Sequence, residues 1–223
     1  MNVDSDHVRE IEEAVSAEGE PRLIVPSMEV IPSDPRIPSA WIQLLKEVDV
    51  IEHVTGNLWK DAIEYLPKVV SALERKLQGV GILLTNTTSP SLVYLFVKRG
   101  ELFARRGFLP IEDLPEGIRQ LPIDLLPVYR IHDGWVDFFS ADTGPLRTKD
   151  WNVVGESIRG AGDGFLEVFT TGATALGFDL SEDPAEPKII WSDGDVESID
   201  NFWGRLDEWI AGELHEMDDR STQ

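Results

Sequence analysis

The sequence predicts an α+β protein in which antiparallel β-strands are combined with amphipathic helices. Apolar residues recur at helical spacing over residues 58–77 and again over residues 199–214. The region between these segments contains short runs that are rich in β-branched, aromatic and aliphatic residues, which is typical of strands. The later runs are interpreted as an antiparallel meander.

The first forty residues differ in composition from the rest of the chain. Residues 1–20 carry seven acids against Arg9, and we expect a short helix that opens at Ser5. Residues 21–38 contain five prolines, which fix φ and remove backbone donors, so an extended and irregular connection is expected. Residues 1–40 are therefore interpreted as an acidic, proline-rich N-terminal arm, part of which lies against the body of the protein.

A helix and three strands are predicted next. Asn57 is suited to cap the helix, and Pro67 is expected to kink the helix or divide it near Leu66. Gly79 and Gly81 are expected to end it. The strands are predicted at residues 82–85, 91–97 and 101–105.

Residues 80–106 have the opposite charge to the chain as a whole. They carry four basic residues against Glu101. Opposite charges attract, so this segment is expected to provide an internal docking site for the acidic ends of the chain.

The second half of the chain is predicted to contain two short helices, further strands and a long final helix. The short helices are expected over residues 113–120 and 122–130, although Pro127 lies too far along the second to fit a regular helix. The strands are expected at residues 135–139, 165–169, 173–180 and 188–191. The final helix must dock against the sheet, because each large apolar side chain that it buries is worth roughly 1.5–3 kcal/mol.

The formal net charge of −21 over 223 residues limits the classes of partner. It disfavours direct binding to nucleic acid, whose phosphates attract lysine and arginine, and it favours a protein partner with a basic surface. Solubility alone is the alternative explanation. The chain has no cysteine, no signal-like N-terminal segment and no apolar run of membrane-spanning length, so we expect a cytoplasmic protein without membrane contact.

The sequence contains no motif of nucleophilic catalysis or phosphate binding, and we expect neither enzymatic activity nor a metal or cofactor. His132-Asp133 could supply metal ligands, but further ligands at helical spacing are missing, which favours a simple turn. The glycine-rich segment 160–164 precedes a strand rather than a helix, which indicates a loop instead of a phosphate cradle.

Acidic residues are dense in the C-terminal third, on two predicted loops that flank one strand. Three interpretations are open: solvated loop residues, a calcium site, or a face presented to a basic protein. The spacing does not match an EF-hand, which makes calcium the weakest of the three. Among the tryptophans, Trp135 is the best candidate for partial exposure, because it follows the Asp133-Gly134 turn.

Several segments together resemble one known family in order and spacing. Residues 121–135 have the sequence LPIDLLPVYRIHDGW, residues 176–180 are LGFDL, residues 188–191 are KIIW, and an amphipathic helix follows around residues 202–210. This pattern resembles the SUKH superfamily, whose bacterial members commonly act as immunity proteins against secreted polymorphic toxins. The resemblance implies a curved, mainly antiparallel β-sheet with helices packed on one side and an N-terminal helical extension.

The resemblance also implies how the chain is organised. Residues 41–216 are interpreted as the SUKH-like domain, with a helical extension over residues 41–78 and the motifs over about 109–211. Residues 217–223 are interpreted as a tail.

The function that the resemblance implies is that of a non-enzymatic immunity protein, which binds and neutralises a cognate toxin. The basic partner surface favoured by charge makes a nuclease the first candidate. The alternatives are a regulatory scaffold for signalling or cell-wall synthesis proteins, and a hydrolase with a carboxylate-bound metal. The expected partner-binding residues are Trp135, Asp137, Asp179, Glu182, Asp183, Asp193 and Asp195.

Overall fold

The structure, a computed structural model, describes residues 3–26, 30–47, 49–98, 101–116, 118, 121–140, 143–151, 153–154 and 164–219. Within these residues the helices are Ser5–Ala14 (α1), Ser39–Leu44 (α2), Val50–His53 (α3), Pro67–Lys76 (α4), Leu126–Tyr129 (α5) and Phe202–Asp219 (α6). The strands are Arg22–Ile24 (β1), Gly79–Leu84 (β2), Ser91–Lys98 (β3), Glu101–Gly107 (β4), Trp135–Asp137 (β5), Thr143–Pro145 (β6), Val153–Val154 (β7), Phe165–Thr171 (β8), Ala175–Asp179 (β9), Glu186–Ile190 (β10) and Val196–Ser198 (β11). The predicted α+β class is confirmed.

The first sheet has the strand order β1-β2-β3-β4-β5, and its strands pair antiparallel. Both faces of its central strand β3 are buried. Leu92 and Tyr94 belong to the main core, whereas Val93 and Leu95 belong to a second core. Because side chains of a strand alternate between its two faces, burial on both sides explains the nearly continuous apolar run in β3. The three strands predicted before residue 106 are confirmed.

The N-terminal segment covers the second core. Ile11 of α1, Val15 directly after that helix and Leu23 of β1 are buried there. The helix begins at Ser5 as predicted, and the Asp4 side chain accepts two backbone N–H groups at its start. Since β1 is hydrogen bonded to β2, part of the N-terminal arm lies against the body, as expected, and it does so as a strand.

The helix predicted from Asn57 is divided into shorter pieces. Val54–Leu58 forms a π-helical turn, Lys60–Ala62 a 3₁₀ turn, and a regular helix starts again only at Pro67. The division before Pro67 is confirmed, because proline lacks the N–H group and fits the first turn of a new helix. The predicted N-cap at Asn57 is wrong, since helical turns start before it, and Gly79 begins β2 rather than ending a helix.

The two short helices predicted in the middle of the chain are not found at their predicted lengths in the described residues. Residues 113–116 and 118 are described and are not helical, and the rest of the 113–120 segment lies outside the described residues. The second predicted helix is reduced to α5, in which Pro127 occupies the first turn. The helix therefore begins beside the proline instead of crossing it.

The second sheet has the order β11-β10-β9-β8-β6, with β7 also paired to β8, and its pairs are antiparallel. The predicted meander is confirmed for β8, β9 and β10, whereas β5 joins the first sheet. Of the glycine-rich segment 160–164, only Gly164 is described, directly before β8.

This arrangement differs in two respects from the single sheet with helices on one side that the resemblance implies. The strands are divided between two sheets, and α1 covers the face of the first sheet that points away from α4. The cover by α1 follows from β3, whose side chains are apolar on both faces and need cover on both.

The C-terminal helix docks into the main core as predicted. Its buried apolar side chains are Phe202, Leu206, Ile210, Ala211 and Leu214. Trp203 and Trp209 are only partly buried at the edge of this packing. The helix continues to Asp219, and residues 220–223 of the predicted tail lie outside the described residues.

Two glycines of α6 are expected to respond in opposite ways to alanine. A Cβ at Gly212 meets open space inside a helix, so Gly212→Ala is expected to raise the free energy of unfolding by about 0.5–1 kcal/mol. A Cβ at Gly204 would overlap with Asn201, whose Oδ1 accepts the Gly204 N–H. Gly204→Ala is therefore expected to lower the free energy of unfolding by about 1 kcal/mol. Urea unfolding followed by circular dichroism measures both shifts, and shifts of the same sign would contradict this account of the helix.

Candidate functional site

The five carboxylates predicted to face a partner do not form one patch. Asp179 ends β9, and Glu182 and Asp183 lie in the turn that leads into β10. Asp193 and Asp195 lie in the turn that leads from β10 to β11. The five residues of β10 separate the two groups by about 17 Å at roughly 3.3 Å per residue. Consecutive turns of a meander lie at opposite ends of the strand that they share, so the structure keeps the groups apart.

Asp179 differs from the other four acids because it is held in an ion pair. Its Oδ2 lies 2.7 Å from Nζ of Lys188 on β10, and Ser181 Oγ donates to its Oδ1 at 2.5 Å. The hydrogen bond from Lys188 is the largest influence that lowers the pKa of Asp179 to about 2. Asp179 therefore stabilises the pairing of β9 with β10, while the other four carboxylates are exposed to solvent.

Trp135 is buried, which corrects the prediction of partial exposure. It is 2% exposed, and its ring centroid lies 4.9 Å from that of Trp59 and 5.5 Å from that of Tyr94. The turn before Trp135 leads into β5, and the Trp135 indole joins the main core. Asp137 is half-buried, and its Oδ1 accepts two backbone N–H groups of the turn that follows β5. Trp135 is thus a core residue, and Asp137 stabilises a turn.

A buried chain of hydrogen bonds runs through His132. The indole N–H of Trp59 donates to the Tyr94 hydroxyl at 3.0 Å, and this hydroxyl lies 2.6 Å from His132 Nε2. His132 Nδ1 lies 3.0 Å from the Phe108 carbonyl. A carbonyl only accepts, so the network assigns the proton to Nδ1, and Nε2 accepts from Tyr94. Burial is the main cause that lowers the pKa of His132 to about 4, which keeps the ring neutral at pH 7.

His132 is therefore a core residue with satisfied hydrogen bonds. No group of three or more His, Asp or Glu side chains in the described part of the chain is placed to hold a metal ion. Sequence reasoning missed this network because Tyr94 and His132 are 38 residues apart and give no local pattern.

The basic segment 80–106 binds acidic residues from both ends of the chain, as predicted. The terminal nitrogens of Arg106 donate to the two oxygens of Glu18 at 2.6 and 2.8 Å, and Arg105 Nη1 donates to Glu213 at 2.6 Å. The hydrogen bond from Arg106 is the largest influence that lowers the pKa of Glu18. Both arginines are buried, so these ion pairs hold the fold together.

A groove lies where α4, β11 and the start of α6 meet, and it has a volume of about 620 Å³. We call it the Tyr65–Trp203 groove, after two partly buried residues in its lining whose ring centroids lie 5.0 Å apart. The charged residues that line it are Glu64, Lys68, Glu197, Asp200, Arg205, Asp207 and Glu208.

Two side chains fix the helix ends that form this groove. Asp207 is buried, and its carboxylate accepts the N–H groups of Lys68 and Val69 at 3.1 and 2.9 Å, so it caps the start of α4. Asn201 Oδ1 accepts the Gly204 N–H at 2.9 Å at the start of α6. The groove is thus formed by two helix starts that are held in place by side-chain hydrogen bonds. Sequence reasoning missed it because Asp207 and Val69 are 138 residues apart.

The lining of the groove carries more negative than positive charge, with five carboxylates and two cations. Each cation already lies near a carboxylate, Lys68 at 2.8 Å and Arg205 at 3.5 Å. Glu64 and Asp200 are exposed, and neither forms an ion pair with another described residue. The groove therefore presents two exposed carboxylates beside two aromatic rings.

A comparison of the chain with family models, curated proteins and solved structures found no match in any of the three. The family resemblance therefore depends on the sequence segments around residues 121–135, 176–191 and 202–210. Among the described residues, no helix is both long and apolar enough to span a membrane.

Proposed function

We propose that this chain is an immunity protein of the SUKH type, which binds a cognate polymorphic toxin in the cytoplasm and neutralises it without catalysis. The observation that carries the proposal is the net charge of −21, with exposed carboxylates at both ends of β10. The order of the resembling segments supports the family, and a mixed α+β structure with antiparallel sheets is compatible with it.

Charge of this size acts mainly on the rate at which a partner is found. Electrostatic steering raises association rates by about 10- to 1000-fold, and the effect falls as salt screens the charges. A toxin that cleaves nucleic acid carries a basic surface because it must bind phosphates. An acidic protein that covers this surface blocks the path of the substrate, which makes a nuclease the first candidate.

Affinity capture with the full chain tests the proposal. The expected result is one basic toxin domain that is retained at low and moderate salt and whose toxicity is relieved when the chain is co-expressed. A captured toxin that stays active in the complex would contradict the proposal. Recovery of several signalling or cell-wall synthesis proteins would instead favour the scaffold alternative.

The exposed loop acids are expected to control the association rate with the captured toxin. The variant removes four charges, with Glu182→Gln, Asp183→Asn, Asp193→Asn and Asp195→Asn, and it keeps Asp179 because that residue pairs with Lys188. Association at low salt is expected to slow about tenfold, while dissociation changes little. Stopped-flow mixing at several salt concentrations measures both rates.

A control variant removes the same charge from positions outside the second sheet. It carries Glu10→Gln, Glu13→Gln, Glu52→Gln and Asp61→Asn, all at exposed positions. Equal slowing in the two variants would mean that total charge, rather than the loops of the second sheet, attracts the toxin.

A further inference from the structure

The Tyr65–Trp203 groove offers a preformed aromatic surface. Tyr65 lies in the turn before α4 and Trp203 in the first turn of α6, and the starts of both helices are held by side-chain caps. The two rings are tilted by 56° at 5.0 Å and are partly exposed. Rings that are already ordered give contact area at low entropic cost, which is typical of anchor positions in protein interfaces.

The charges around these rings favour a cation. Glu64 directly precedes Tyr65, and Asp200 lies three residues before Trp203. The positive end of a helix would favour an anion, but at the start of α4 the Asp207 carboxylate already fills that position. A lysine or arginine beside the rings would be attracted both by the exposed carboxylates and by the negative faces of the rings.

The shape of the groove favours an extended chain. A second depression of about 360 Å³ shares Pro67, Lys68 and Glu208 with it. Ser71 and Arg75 of α4 line one side of this depression, and Ala211 and Gly212 line the other. Because the second depression contains the cation of Arg75, it suits an aliphatic side chain of the ligand rather than a basic one. The helix α4 borders both depressions over about two turns, or roughly 11 Å, which matches three or four residues of extended peptide. Ala211 and Gly212 have little or no side chain, so an aliphatic side chain has room above them.

We infer that the Tyr65–Trp203 groove, together with the adjoining depression, binds an extended, basic segment of the partner protein. An arginine or lysine lies against Tyr65 and Trp203, and an aliphatic side chain lies over Ala211. The incoming cation competes with Lys68 for Glu208, which costs little because water already solvates both charges of that exposed ion pair. The inference rests on the proposed function for the nature of the partner.

A short peptide tests the groove without the toxin. The probe is acetyl-Ala-Leu-Ala-Arg-Ala-amide, titrated into the ¹⁵N-labelled full chain to about 10 mM, tenfold above a dissociation constant of about 1 mM. Resonance shifts are expected at the Trp203 indole N–H and at the backbone amides of Lys68 and Ala211. The same peptide with glutamate in place of arginine is expected to cause none. Absence of these shifts with the arginine peptide, or equal shifts with both peptides, would overturn the inference.

Two charge variants with the same net charge separate the groove from the rest of the acidic surface. Glu64→Gln combined with Asp200→Asn is expected to weaken peptide binding about fivefold, or roughly 1 kcal/mol. Glu182→Gln combined with Asp183→Asn lies outside the groove and is expected to leave binding unchanged. Equal weakening in both variants would mean that only total charge matters, and the inference would fail.

The failure of this inference is distinguishable from failure of the proposed function. If the toxin is bound and neutralised equally well by the Glu64→Gln, Asp200→Asn variant, the function stands and the groove is not its binding site. If the peptide binds at the groove and no toxin is captured or neutralised, the groove is a binding site and the immunity function is wrong.

Discussion

Acidification from pH 6.5 to pH 4 is expected to remove about 3 kcal/mol from the free energy of unfolding through His132 alone. Burial lowers the pKa of His132 from 6.5 to about 4 in the folded protein, whereas the unfolded chain keeps the ordinary value. Between these values the unfolded state binds the proton and the folded state does not. The contribution is therefore complete above pH 6.5 and is lost as the pH falls toward 4. Protonation also removes the acceptor for the Tyr94 hydroxyl.

The His132→Gln variant isolates this contribution because glutamine does not titrate and still has a donor and an acceptor. Acidification also reduces the net charge of −21 and relieves the repulsion between carboxylates, which raises the free energy of unfolding. The wild type and the His132→Gln variant share this opposite effect. The free energy of unfolding is therefore measured in urea at pH 7 and at pH 5 for both proteins, and the loss in the wild type is compared with the loss in the variant. The wild type is expected to lose about 2 kcal/mol more than the variant. Equal losses would mean that the fold does not keep His132 neutral.

The sequence predicts those elements whose pattern is set within one segment. The helix from Ser5 is predicted from a capping position and a thin apolar stripe, and β3 from its content of β-branched, aromatic and aliphatic residues. The buried face of α6 is predicted from the helical spacing of its apolar residues. The cap at Asn57 is predicted from its residue type, but Asn57 lies inside the π-helical turn Val54–Leu58. The helix over residues 113–120 is predicted from the sequence pattern, but residues 113–116 and 118, which the structure describes, are not helical. Local propensity of this kind is a weak signal that tertiary context overrides.

The candidate site was harder to predict because it joins distant segments. The sequence places acids on two loops that flank one strand, and in the structure Glu182 and Asp183 lie exposed before β10 and Asp193 and Asp195 after it. Asp179 is the exception, because it lies at the end of β9. Trp135 follows a turn and still lies in the core, since β5 pairs with β4. The Tyr65–Trp203 groove exists only where α4 meets α6, and neither helix alone indicates it.

Glu213→Gln is expected to lower the free energy of unfolding by about 3 kcal/mol. Arg105 is 2% exposed, and its Nη1 donates to Glu213 Oε2 at 2.6 Å. Its Nη2 donates to the carbonyls of Trp135 and Thr143, which belong to different sheets. Arginine keeps its charge at all accessible pH values, so loss of the carboxylate leaves a buried cation without its counter-charge.

The same helix provides a matched control. Glu208 pairs with Lys68 at 2.8 Å, but both side chains are 55% exposed. Water solvates the charges of such a pair, so Glu208→Gln is expected to lower the free energy of unfolding far less than Glu213→Gln does. Urea unfolding of the two variants under the same conditions gives the comparison. Equal losses would mean that water reaches Arg105 and solvates its charge.

Replacement of both partners separates the effect of charge from that of shape. In the double variant Arg105→Met, Glu213→Met, no charge is left to desolvate, and the methionine side chains fill much of the same space. We expect the double variant to be more stable than Glu213→Gln by about 1–3 kcal/mol. If it is equally unstable, the hydrogen bonds of Arg105 to both sheets, rather than its paired charge, hold the sheets and α6 together, because the methionine cannot donate them.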